Sequence, residues 1–411
     1  MMEQQPDKLS RSLSLPLITL YGIGTILGAG IYVLAGEVAR ESGVYTPHAF
    51  LLAGIIVSFS AYAYAKLSKR FPQSAGEAAY IHEALKSPAL AKVVGWAIML
   101  TGIVSAATIT RGFTGYIALY LPLHHSLNAV LFVSILTGLA IWGVKQAVGL
   151  AALFTLVELI GIGLIVYFAW PLLPSIATNY PMAISLPPPS ALSAIALGAF
   201  IAFYAFIGFE DMVNMAEEVK NPRRNLPISI YLALILTTGL YILTAFSFLA
   251  LLPIEELANS EAPFADVARN HPGLSIGLIT MISIAAISNG ALVQIVMGSR
   301  VLYGMANRRL APRIFGSINP TTLTPIPATL VVGLLVIVFA TVLPLDILAK
   351  ITSAIVLSIF SLVNLALLIL EIKAVKSLQP LTLAKLFIPF IGMLLCVSFL
   401  TLQFYEWFFR H

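Results

Sequence analysis

Apolar residues along this chain gather into eleven runs, each long enough to cross a hydrocarbon layer as a helix, with short polar stretches between them. The runs fall at roughly 15–40, 46–68, 90–121, 127–144, 148–172, 190–217, 227–252, 272–306, 325–344, 346–372 and 382–408. The pattern predicts an all-α polytopic membrane protein. Residues 1–14 read as a polar tail, and 69–88 as a short amphipathic segment between the second and third runs. No heptad run, low-complexity tract or separate soluble domain interrupts the series.

Two runs contain helix breakers. Residues Gly22 to Gly36 carry five glycines, three of them between Gly24 and Gly30. Glycine is the poorest helix former after proline. An unwound backbone in lipid leaves amides unpaired at several kcal/mol each, so such a segment needs a use for them. The sixth run, Gly198-Ala-Phe-Ile-Ala-Phe-Tyr-Ala-Phe-Ile-Gly-Phe-Glu-Asp211, is interrupted again, at Gly208. If the first five segments (15–172) repeat as the next five (190–372), the two interruptions occupy equivalent positions. Five is odd, so the second repeat is inverted in the membrane. This is a transporter plan in which the solute binds where two discontinuous helices meet. Residues 382–408 add a helix outside the repeats. Close helix packing is the competing use for glycine, and Gly24 and Gly28 have the Gly-x-x-x-Gly spacing.

Charge sets the orientation. With the N-terminus cytoplasmic, 18 of the 23 basic residues fall in inner loops or at inner segment ends. Arg40, Arg269 and Arg410 fall outside, and Arg111 and Lys350 within helices. The outer stretch 253–271 leans acidic. The C-terminus then lies outside, and the cell membrane is the expected location. Only 10% of the 411 residues are charged, against about 25% in a soluble domain. The net charge of +5 therefore marks cytoplasmic loops rather than nucleic-acid binding. No cleavable signal is expected, because the first apolar run is too long for a signal core. The single cysteine, Cys396, excludes a disulfide within the chain.

Three motifs resemble those of the amino acid–polyamine–organocation transporters, which include bacterial amino acid permeases and cationic amino acid transporters. Ile26-Leu-Gly-Ala-Gly-Ile-Tyr-Val33 resembles the family's first-helix motif. Phe206-Ile-Gly-Phe-Glu210, followed by Glu217 to Pro227, resembles its sixth-helix and loop signature. Ser299-Arg-Val-Leu-Tyr-Gly-Met-Ala306 resembles the end of its eighth helix. The resemblance implies the five-plus-five inverted-repeat (LeuT-like) fold, with helices 1 and 6 discontinuous. Members usually have twelve helices, and eleven are read here, which leaves the oligomeric state open.

The resemblance also implies that backbone amides of Gly28, Ala29 and Gly30 hold a substrate carboxylate. That agrees with the positive end of a half-helix facing an anion. The substrate amine would lie on carbonyls near Thr25 and Ile26 in the first helix and Tyr204, Ala205 and Ile207 in the sixth. Phe203 or Phe206 is a candidate aromatic gate, with ordinary packing as the alternative. Thr101, Gly102, Ser105 and Thr108 of the third segment are small and uncharged, which suits small or neutral side chains. Asp346 and Lys350, at i and i+4, are expected to pair.

Glu158 lies mid-way along the fifth segment, where a carboxylate costs roughly 3 kcal/mol or more. That suits a group that takes up and releases a proton. Relatives resembling this chain carry a lysine at about this place. An acid there leaves proton and sodium coupling both open, with hydroxyls such as Ser288 as further sodium ligands. Glu210 is a candidate for gating, or an interfacial acid paired with a base. Glu217, Glu218, Arg223 and Arg224 read as loop salt bridges.

The function expected is secondary active transport of an amino acid, driven by protons, with sodium symport and exchange as alternatives. No cofactor is called for. All six histidines lie in loops or at segment ends, and no Ser/His pair or His/Glu cluster falls within a segment, so a membrane enzyme is disfavoured. No filter-like loop or charge ring suggests a channel.

Overall fold

The computed structural model describes residues 13–72, 76–118, 120–121, 123–142, 144–216, 219–307, 309–322, 324–375 and 383–409. Most of the tail at 1–14, Glu217, Glu218 and the last two residues lie outside them. Among the described residues the chain is helical, without a sheet. The helices are α1 (Leu15–Ser42), α2 (Thr46–Arg70), α3 (Gly76–Leu85), α4 (Pro88–Ile117), α5 (His125–Trp142), α6 (Val144–Ala169), α7 (Ile176–Asn179), α8 (Leu192–Tyr204), α9 (Asp211–Asn214), α10 (Pro222–Leu251), α11 (Ile254–Ala258), α12 (Pro263–Asn270), α13 (Ile276–Asn307), α14 (Ile326–Val342), α15 (Leu345–Val375) and α16 (Leu383–Phe409). Each predicted membrane segment is occupied, the sixth by α8 and α9 together. Prolines open α2, α4, α10 and α14, where the missing N–H costs nothing. Gly43, at φ 55°, ends α1 by returning its N–H to the Ala39 carbonyl.

Helix packing shows how the two halves are related. The second, third and fourth segments pack on the seventh, eighth and ninth, as α2 on α10, α4 on α13 and α5 on α14, and α1 packs on α8. Exchanging the halves maps further contacts onto one another. The pair α1–α10 corresponds to α8–α2, α6–α13 to α15–α4, and α1–α6 to α8–α15. This is the five-plus-five inverted-repeat fold, with α16 added against α15 and α2. The exchange fails most at one place: α1 packs closely on α13, and α8 has no equally extensive contact with α4. The space left there belongs to the site described below.

Two connecting segments fold onto the bundle. The segment α3 is amphipathic, as expected, but it is not a surface helix. Glu77, Tyr80, Ile81 and Ala84 are buried, and it docks on α15 and α4. At the opposite end, the acidic stretch forms α11 and α12, and Phe264 stacks on Tyr32 of α1 with ring centres 4.0 Å apart.

Candidate functional site

The sixth segment stops being an α-helix at Tyr204 and resumes at Asp211. Between them the chain winds in tight turns. The amides of Ala205, Phe206 and Ile207 reach carbonyls three residues back rather than four. Gly208 has φ 129°, a conformation open to glycine and strained for other residues. Its amide leaves the backbone pattern and donates to Glu210 Oε2 at 2.9 Å. A Cβ at Gly208 would lie 2.5 Å from the Thr25 carbonyl oxygen, so α1 approaches this turn at main-chain distance.

The first segment differs from expectation: α1 runs unbroken from Leu15 to Ser42, and the interruption expected there occurs only in the sixth. Its glycines admit neighbours instead. A Cβ at Gly28 would lie 3.2 Å from the backbone of Gly290, and one at Gly30 2.6 Å from Cα of Ala205. One at Gly24 would fall on the Thr155 hydroxyl. Each glycine costs a helix about 1 kcal/mol, less than an amide left unpaired in lipid. Where neighbours need the room, a closed glycine helix is the cheaper solution. In this conformation the amides of Gly28, Ala29 and Gly30 belong to the helix and do not form an open anion cradle.

Side chains tie α1 to the turn. The Thr25 hydroxyl lies 3.0 Å from the Gly22 carbonyl and 3.1 Å from the Gly208 carbonyl. The Tyr241 hydroxyl of α10 lies 2.7 Å from the carbonyls of both Ile26 and Ala205. Each hydroxyl has one hydrogen and donates to one carbonyl at a time. These links hold carbonyls of both segments, and Tyr241 was not anticipated from the sequence.

A small cavity, about 320 Å³ between atoms with its open mouth included, lies beside the turn, between α1, α4, α8 and α13. Thr25, Ile26, Gly30, Tyr204 and Ile207 line it, all of them expected site residues. Ser105, also on its wall, lies 3.0 Å from the Tyr204 hydroxyl and bridges α4 to α8. Gly28 faces Gly290 and Ala205 faces Gly30, so both shape the site from behind. No charged side chain lines this cavity. Phe203 and Phe206 are buried in aromatic packing against Phe360 and Tyr241. Thr108 donates to its own helix at Val104.

Glu158 is fully buried on α6. Its Oε1 accepts from Asn289 Nδ2 at 2.9 Å. Its Oε2 and the Asn289 Oδ1 are both buried without a partner. Tyr32 donates to the Glu158 main-chain carbonyl at 2.7 Å. Ser288 donates to the Ile284 carbonyl, and its neighbour Asn289 is the α13 residue that reaches Glu158. Asp346 and Lys350 pair as expected, at 3.6 Å.

Below the turn, toward α3, is a second cavity of about 440 Å³ between atoms with its open mouth included. Glu210 lines it with two carboxylates that sequence reading passed over, Asp211 and Glu77. Gln294 lines both cavities and donates to Asp211 Oδ2 at 3.2 Å. Burial above all, with the Asp211 charge adding to it, pushes the Glu77 carboxyl up to about 8, against the pull of its own backbone amide and of Tyr64. The signal for Glu77 lay in the amphipathic stretch 69–88, but nothing local to it says that its apolar face, and this acid with it, is covered by other helices.

The sequence profile of the amino acid permease family matches residues 13–408. The chain is 32% identical to the vacuolar cationic amino acid transporter 2 of Arabidopsis thaliana, over 89% of this chain and 60% of that protein. It is 26% identical to the branched-chain amino acid permease BcaP of Bacillus subtilis, over 89% of this chain and 82% of that one. It is also 26% identical to the methylthioribose transporter of the same bacterium, over 96% and 88%. The chain spans about 60–64% of the length of the plant relatives it matches. Among solved structures, a Na+-coupled sialic acid symporter in a substrate-bound outward-open state superposes with a TM-score of 0.55 at 14% identity, covering 93% of this chain and 89% of that one.

Proposed function

This chain belongs to the amino acid permease family, and we propose that it is a secondary active transporter carrying amino acids with small or neutral side chains by alternating access, driven by protons. The observation that carries the reading is the uncharged cavity at the broken sixth segment, faced by a glycine-rich helix. A buried cavity with no charge on its wall favours a substrate whose side chain brings none. Relatives named for cationic amino acids, branched-chain amino acids and methylthioribose indicate that the scaffold is compatible with several solutes, so the lining is the better guide.

In this reading, α1 opens at Gly28, Ala29 and Gly30 during the cycle and offers amides to the substrate carboxylate. The ammonium group replaces Tyr241 and Thr25 on the carbonyls near Ile26, Ala205 and Ile207. The moving unit is α1, α2, α8–α9 and α10, which pack on one another and rock against the remaining core. Loop charge orients the α3 end to the cytoplasm of a cell membrane, with the N-terminus inside and the C-terminus outside. In the same reading Glu210 couples the turn to gating, which its bond to the Gly208 amide supports.

Proton coupling rests on the Glu158–Asn289 pair. A proton on Glu158 Oε2 would let it donate to Asn289 Oδ1, and two orphaned acceptors would become one hydrogen bond. A sodium ion is the second reading, since two partnerless oxygens also suit a cation. Uptake by purified protein in liposomes, with an imposed proton or sodium gradient, separates the two. The expected result is accumulation under a proton gradient that Glu158→Gln reduces to gradient-independent equilibration. Accumulation by Glu158→Gln equal to the parent's would end the coupling assignment.

A further inference from the structure

We propose that the cavity below the turn, walled by Glu77, Glu210, Asp211, Gln294, Tyr64 and Thr101, is a second binding station, specific for a primary ammonium group. Its place in a transport cycle rests on the transport reading; its ligand chemistry does not.

Three carboxylates from two separate elements line this cavity, and no lysine, arginine or histidine does. Glu77 is 1% exposed, and Glu210 and Asp211 are each 8% exposed. Two further bases on neighbouring helices are engaged elsewhere: Arg300 lies against the Met215 sulfur, and Lys373 donates to the Ala84 carbonyl. The carboxylates therefore lack the internal counter-charge that buried acids ordinarily have.

Glu77 Oε2 and the Tyr64 hydroxyl, both on the wall, complete no hydrogen bond, although Tyr64 lies close enough to Glu77 to favour its charged form. A ligand with several N–H donors would satisfy both, and an ammonium carries three. Tyr64 and Phe360 also line the cavity and form an aromatic pair 5.3 Å apart, which suits a cation. A metal ion fits less well: among the described residues, no three His, Cys, Asp or Glu side chains are arranged to hold one. The wall shared with the upper cavity is the Gln294 side chain, whose bond to Asp211 is long at 3.2 Å. An ammonium group leaving the upper cavity would meet this acidic chamber next on its way to the α3 end.

Proton release follows from the same geometry. The groups facing Glu77 are Tyr64 of α2, Tyr80 of α3 and the two acids at the turn. With its carboxyl held up to about 8, Glu77 is mostly protonated at pH 7. A bound cation favours the ionised form and expels that proton.

Isothermal titration of the purified protein in nanodiscs with 1,4-diaminobutane tests this directly. The probe has no carboxylate, so it cannot use main-chain amides of α1. Titration at pH 7 in two buffers of different ionisation enthalpy should show binding with release of a proton. Glu77→Gln should bind at least tenfold more weakly and release none. Thr101→Leu, which fills the cavity without changing its charge, should weaken binding similarly, and 1,4-butanediol should not bind. Failure of the diamine to bind, or binding unchanged in both Glu77→Gln and Thr101→Leu, would overturn the proposal. The titration needs no transport, so a chain that carried no amino acid would still give a readable answer.

Discussion

The two segments that meet at the centre of this molecule use glycine in opposite ways. In the sixth, one glycine at φ 129° lets the backbone turn out of its helix. In the first, glycines at 24, 28 and 30 leave the helix intact and let neighbouring segments come close. The difference lies in what faces each position. Gly208 meets a carbonyl of α1 and needs both the dihedral and the space, whereas Gly28 and Gly30 meet the backbones of Gly290 and Ala205 and need only the space. A glycine count alone does not distinguish an unwound helix from a tightly packed one.

The sharpest way to break this comparison is Gly208→Ala. A Cβ there would sit 2.5 Å from a main-chain oxygen, and the φ value is unfavourable for alanine as well. Backbone strain of about 1–3 kcal/mol would add to the clash. Uptake in liposomes should fall more than tenfold, and the thermal midpoint of the purified protein should drop. Near-parental uptake by Gly208→Ala would mean that the turn is not held in this geometry.

Next in size is Gly24→Ala. Its Cβ would fall on the hydroxyl of Thr155, which donates to the Ala151 carbonyl at 3.0 Å. Overpacking of this kind costs about 1–3 kcal/mol. Thr155→Ala alone should cost less than about 1 kcal/mol, because it leaves only a local bond unmade. The double variant should regain most of the lost stability and uptake, since the obstructing hydroxyl is gone. A double variant as impaired as Gly24→Ala would show that the residue is required for unwinding, as the cradle reading of this helix expects.

The same contrast explains what the sequence disclosed. The eleven segments were legible because an apolar run of membrane length has few alternatives. Glu158 stood out because an acid in such a run is costly. The continuity of α1 was not legible, because its glycines are explained by Ala205 and Gly290, far away in the chain. Glu77 escaped for a related reason. Its own stretch reads as polar and amphipathic, and its burial is decided by α4 and α15. Tyr241 escaped because one tyrosine among apolar residues carries no mark of the two carbonyls it reaches.

The smallest effect, and the cleanest control, comes from two glycines on one helix. Gly161 and Gly163 of α6 are two residues apart and so point to different sides. A Cβ at Gly161 would meet the side chain of Ile282 and, at 2.6 Å, the Tyr32 hydroxyl that bonds the Glu158 carbonyl. At Gly163, which is exposed, it would meet nothing within 4 Å. Gly161→Ala should therefore displace Tyr32 and lower uptake severalfold. Gly163→Ala should leave uptake unchanged and raise the thermal midpoint slightly, since alanine favours a helix by up to about 1 kcal/mol over glycine. If both substitutions impaired transport equally, flexibility of α6 rather than close approach would be what its glycines provide. The packing account of the α1 glycines would then lose its nearest parallel.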